Sequence, residues 1–112
     1  MKQIYFVTSI RVTSSEDRDI ISESNFVIGA YEDKNSAINR AKKYGEYLIK
    51  TYHLRTDDSM RRSLNDFDDL NVYDCIILGK RDSMNEDGEY ICTVEHSIEI
   101  EEITLFENGE GI

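Results

Sequence analysis

The chain has 112 residues, 39% hydrophobic and 32% charged, which suffices for one compact domain and is too little for two. An aromatic content of 10% excludes a disordered polyelectrolyte despite a formal net charge of −10. No segment approaches the roughly 20 apolar residues of a membrane span, and Met1–Phe6 lacks the features of a signal peptide, so a cytoplasmic location is expected, with Cys75 and Cys92 as reduced thiols.

Residues 3–12 alternate as a strand does: Ile4, Phe6, Thr8, Ile10 and Val12 point one way, Tyr5, Val7, Ser9 and Arg11 the other. Thr13 to Asn25 is polar and acidic apart from Ile20 and Ile21, and reads as a long hairpin connection that can extend the flanking strands. The second strand, Phe26 to Tyr31, is apolar at nearly every position, which predicts a place in the middle of a sheet. Gly29 within it marks a close approach to the backbone.

A helix is expected after Glu32, with Asp33 as N-cap. At 100° per residue, Ala37, Ile38, Ala41, Tyr44, Gly45, Leu48, Ile49 and Tyr52 share one arc, opposite Asn39, Arg40, Lys42, Lys43, Glu46 and Lys50. Gly45 inside the apolar arc points to close packing of helix on sheet. Met60, Leu64 and Phe67 predict a short second helix. A third strand is read over Val72–Lys80, a turn within Arg81–Gly88, and a fourth strand from Glu89 to about Ile100. Its inward set is Tyr90, Cys92, Val94, His96, Ile98 and Ile100. Ile103 and Leu105 fall out of step, which predicts a bulge near Glu101 and Glu102.

The order β-β-α-β-β predicts an α+β two-layer sandwich, a mainly antiparallel four-stranded sheet with one main helix packed on one face. Residues 1–106 form the single domain, and 107–112 a flexible C-terminal tail. The two free edges of an open sheet make a homodimer an additional expectation.

Charge is unevenly spread. Residues 34–62 carry eight basic and three acidic side chains, whereas residues 63–112 carry two basic and fourteen acidic. The expected partner-binding patch is Asp66, Asp68, Asp69, Asp82, Glu86, Asp87, Glu89, Glu95, Glu99, Glu101 and Glu102. Such a surface imitates the phosphates of nucleic acid and suits a basic protein partner. The same field opposes direct nucleic-acid binding. Tyr47, on the wet helix face among Arg40, Lys43 and Lys50, is a candidate exposed anchor.

Catalytic signatures are not found. The glycines are scattered rather than gathered into a phosphate loop, and Asp66 and Asp68 begin a calcium-loop pattern that Leu70 and Asn71 break. His53 and His96 lack the spacing of metal ligands and read as a surface and a strand-packed histidine. Cys75 and Cys92 become cross-strand neighbours if the turn between the third and fourth strands centres near Ser83 and Met84. Neither catalysis, nor a cofactor, nor a metal is expected.

Ile4-Tyr5-Phe6-Val7-Thr8-Ser9, then Phe26-Val27-Ile28-Gly29-Ala30-Tyr31-Glu32-Asp33-Lys34 with Ala37 and Ala41, resembles small uncharacterised proteins of bacteriophages and mobile elements over the first half of the chain. That resemblance implies an accessory, anti-defence protein of the anti-CRISPR kind, located in the host cytoplasm, and carries over no functional residue. Together with the charge it leads to a non-enzymatic, DNA-mimicking inhibitor that occludes a basic surface of a host or defence factor. The alternatives are a binder or sponge of a nucleotide-like small ligand, and an immunity or antitoxin protein.

Overall fold

The computed structural model describes residues 2–17, 19–55 and 75–106. Its elements are β1 (Lys2–Ser14), β2 (Ile20–Tyr31), α1 (Lys34–Tyr52), β3 (Cys75–Met84) and β4 (Tyr90–Leu105). The strands form one sheet in the order β2-β1-β4-β3, with every neighbouring pair antiparallel. The expected α+β class and β-β-α-β-β order hold. The second helix at Met60, Leu64 and Phe67 and the tail 107–112 lie outside the described residues, as do Val72–Asp74.

β2 is an edge strand, not a central one. Each hairpin pairs its own two strands, and β1 pairs with β4, so the inner strands are the first and the last. The apolar run of β2 divides between Ile28 and Tyr31, which pack on the core, and Phe26 and Val27, which are exposed. β1 carries apolar side chains on both faces, the pattern of an interior strand.

Cross-strand partners share a face. Val7 opposite Ile100 and Ser9 opposite Ile98 are buried toward the helix. Ala37, Ile38, Ala41 and Leu48 of α1 join Val7, Ile76, Leu78, Ile98 and Ile100 in one core, with Tyr44, Ile49 and Tyr52 packed against it. The expected helix arc therefore faces the sheet, and Gly45 within it is buried. Asp33 caps the helix as expected, its carboxylate accepting from the Ser36 N–H at 3.1 Å.

β4 has no bulge near Glu101 and Glu102 and stays in continuous register with β1 from Thr93 to Leu105. Ile103 appears out of step because it belongs to the opposite face, where it pairs with Ile4. The irregularities lie elsewhere: in β2 beside Gly29 and at Ile21, in β3 beside Gly79, and in β4 at Ile91 near the second turn. A Cβ on Gly29 would stand 2.6 Å from the Tyr31 ring, which is the close approach read from the sequence. Gly79 has φ +151°, and a Cβ there would lie 2.7 Å from the Arg55 carbonyl oxygen. Arg55 and Lys80 exchange two backbone hydrogen bonds at 3.0 and 2.9 Å, so this glycine lets the segment after α1 dock on the edge of β3.

Both connections are tighter than the sequence suggested. β1 extends to Ser14 and β2 starts at Ile20; likewise Arg81–Met84 is strand, and the second turn spans residues 85–89. This register places Cys75 opposite Glu99 and Cys92 opposite Ser83. The two thiols are thus seven positions apart along β4, about 24 Å at strand rise, and are not neighbours. Within the inward set of β4, Val94, His96, Ile98 and Ile100 are buried, but Tyr90 and Cys92 lie past the end of the helix and are not.

The strands outrun the helix. α1, with 19 residues, spans about 28 Å, whereas the 16 residues of β4 span about 53 Å. α1 begins after Tyr31, opposite Tyr5, and ends with Tyr52 stacked on His96, opposite Arg11. Beyond that level the two hairpins continue as an elongated sheet end.

Candidate functional site

The turns of both hairpins lie at this far end, because β1 stays paired with β4 up to Ser14 opposite Thr93. The first turn carries Glu16, Asp17 and Asp19, and the second Glu86, Asp87 and Glu89. Six carboxylates are therefore gathered at one end of the sheet. Their turns do not use them. The first closes through the Ser15 N–H donating to the Asp19 carbonyl at 2.9 Å and the Asp19 N–H donating to Ser15 Oγ at 3.3 Å. The second closes on Asn85, whose Oδ1 accepts from the Asp87 and Glu89 N–H groups at 3.0 and 2.8 Å. Among the described residues none of the six enters an ion pair. Beside them stand exposed apolar side chains: Ile20 (70%), Ile21, Met84 and Ile91 (54%). Acid and exposed hydrocarbon thus lie side by side at this end of the sheet.

The other expected patch residues separate by face. Glu95, Glu99 and Glu101 lie opposite Val12, Thr8 and Phe6, on the face turned away from α1. Burial, and then the charge of Glu101, hold the Glu99 carboxyl above its ordinary range. Glu102 lies on the helix face, where Tyr5 donates to it at 3.4 Å. Two members have cations of their own: Asp82 accepts from Arg55 Nη2 at 3.0 Å and from Thr93 Oγ1 at 2.9 Å, and Glu95 stands 3.9 Å from Lys80 Nζ. Asp66, Asp68 and Asp69 lie outside the described residues. Tyr47 is 56% exposed, its ring centre 5.8 Å from that of Tyr44.

Two features were not assembled into a site by the sequence reading. The first is the acidic turn of the β1–β2 hairpin, whose neighbour could be identified only once the β1–β4 register was known. The second is a basic cluster around His96, which is 1% exposed. Arg81 Nε donates to His96 Nε2 at 3.0 Å, the Arg81 guanidinium lies 4.4 Å over the Tyr52 ring, and that ring stacks on His96 at 5.1 Å. Arg11 stands on the neighbouring strand opposite His96. Burial, then the charges of Arg81 and Arg11, lower the His96 imidazole from 6.5 to about 4. Because Nε2 accepts, the ring proton resides on Nδ1. The signal for this cluster lay in β1, where alternation put a charged Arg11 on the face shared by Tyr5 and Val7.

A separate open groove of about 320 Å³ is lined by Tyr31, Ser36, Asn39, Arg40 and Lys43. His53 is exposed and ends α1 in a left-handed conformation, φ 50°. Among the described residues, no three His, Cys, Asp or Glu side chains are grouped to hold a metal ion, and no helix is long and apolar enough to cross a membrane. Comparisons with family models, curated proteins and solved structures find no match for the chain.

Proposed function

We propose that this chain is a non-enzymatic acidic binding protein that occludes a basic, nucleic-acid-binding surface of another protein, and that its acidic hairpin end makes the contact. The observation that carries this reading is the gathering of Glu16, Asp17, Asp19, Glu86, Asp87 and Glu89 at one sheet end beside exposed Ile20 and Ile91, in turns whose geometry needs none of those carboxylates. The carboxylates steer a basic partner and align it, and the apolar side chains supply contact area that salt does not weaken. Helix and sheet act as the two layers of a sandwich in this reading, the helix layer bracing a sheet whose uncovered end binds. The phage-like first half suggests a host or defence factor as the target.

The test is capture of partners from host lysate by the tagged chain, at low and at high salt, followed by challenge with duplex DNA. A nucleic-acid-binding protein released by added DNA, and no longer retained by an Asp17→Lys, Asp87→Lys variant, is the expected result. Retention that charge reversal at both turns leaves unchanged would reject the hairpin end as the contact.

A further inference from the structure

We propose that Arg11 and Arg81 form a binding site for a phosphate-bearing small ligand on the helix face of the sheet, just beyond the C-terminal end of α1. This proposal is independent of the occlusion reading, since it concerns the opposite chemistry at a different place.

Arg81 hydrogen-bonds the buried His96, and Arg11 stands at the facing position on β1, near enough for its charge to lower the His96 imidazole. In a chain with 23 acidic side chains, a pair of arginines would ordinarily be matched by carboxylates. Here the nearby acids are placed elsewhere: Asp82 is taken by Arg55, and Glu95 stands across the sheet near Lys80. Among the described residues, no carboxylate pairs with Arg11 or Arg81. His96 cannot serve instead, because it is neutral and already spends its acceptor nitrogen on Arg81. The negative end of α1 offers about half an elementary charge, which leaves most of two positive charges unmatched among the described residues.

Arg11 Nε, moreover, is buried without a hydrogen-bond partner. A buried donor left unmade is costly, and it signals that something else completes the site. Two planar forks with a total charge of two suit a phosphate, which presents several acceptor oxygens and up to two charges; a carboxylate matches only one fork. Tyr52, held between its contacts with His96 and Arg81, fixes the Arg81 fork in place before any ligand arrives.

The chain has two histidines, so the His96 ring signals can be assigned by comparison with a His53→Gln variant. Titration with inorganic phosphate, ADP or acetate at constant ionic strength, read by the ring ¹⁵N signals and by ³¹P line width, is the experiment. Phosphate or ADP should produce a saturable shift at His96 and raise its pKa, since a bound anion offsets the Arg81 and Arg11 charges that Tyr52 and burial otherwise leave facing the ring. Saturation by phosphate alone would identify the free ion as the ligand, and tighter saturation by ADP would identify a nucleotide. Arg11→Gln should weaken binding by at least about tenfold, and Lys43→Gln, in the remote groove, should leave it unchanged. Should Arg81→Gln fail to fold, Arg11→Gln decides the matter, because Arg11 Nε makes no internal hydrogen bond. No saturable shift, an equal response to acetate, or loss of binding in Lys43→Gln with Arg11→Gln unaffected would overturn the proposal.

Discussion

His96 connects the interior to pH. A histidine held neutral in the fold, with its pKa lowered to about 4, binds fewer protons than the same residue in the unfolded chain between pH 4 and 6.5. Its contribution to stability is therefore fully present above pH 6.5, is lost as pH falls toward 4, and loses nothing further below that. At about 1.4 kcal/mol per unit, the shift corresponds to about 3 kcal/mol. Urea unfolding between pH 7 and pH 5 should show stability falling with acid, and His96→Gln, which keeps an acceptor for Arg81, should flatten that slope. Glu99 works in the opposite direction: its raised pKa means that ionisation at neutral pH opposes folding, and that protonation relieves it. Among the described candidate patch residues, Glu99 is thus a carboxylate whose charge the fold retains against its own stability.

At the level of elements, Gly79 joins the strap after α1 to the sheet. Its φ of +151° and the 2.7 Å approach of the Arg55 carbonyl to any Cβ leave no room for a side chain. Gly79→Ala should therefore destabilise the protein by roughly 1–3 kcal/mol and loosen the Arg55–Lys80 pairing, which thermal unfolding and amide exchange at Lys80 would register. A Gly88→Ala control, where a Cβ meets nothing within 4 Å but φ is +79°, separates backbone strain from the clash. Such positions show what the sequence could and could not disclose. The helix was legible from its 3.6-residue period and Asp33, and the order of elements from alternation at Ile4–Val12 and the apolar run Cys75–Leu78. Strand order was not, because an apolar run such as Phe26–Tyr31 describes the strand's own side chains and not its neighbours. The candidate site depended on that missing register: Asp17 and Asp87 are 70 positions apart in the chain, and only the pairing of Ser14 with Thr93 brings their turns together.

At the scale of the whole molecule, the uneven charge has a thermodynamic cost. Like charges at the end of an elongated sheet repel, and salt screens that repulsion with a Debye length of about 10 Å at 0.1 M. The melting temperature should accordingly rise with added sodium chloride. A variant carrying Glu16→Gln, Asp17→Asn, Glu86→Gln and Asp87→Asn should melt higher at low salt and gain less from salt, because Ser15 and Asn85, not these carboxylates, close the two turns. Equal salt gains in both proteins would place the repulsion elsewhere, for instance on Glu99 and Glu101.

The pairing of β1 with β4, from Lys2 opposite Leu105 to Ser14 opposite Thr93, also dictates an order of events during synthesis. β1 is an inner strand made before β4, and one of its two edges stays unpaired until β4 has emerged. Until then the nascent chain has a β1–β2 hairpin and a helix, but no closed core, since Ile98 and Ile100 are still missing from it. Closure of the core therefore waits for β4, and is governed by one contact of very long sequence separation. A ribosome stalled before β4 would hold out an open strand edge bearing Ile4, Phe6, Ile10 and Val12, a template for association with other chains.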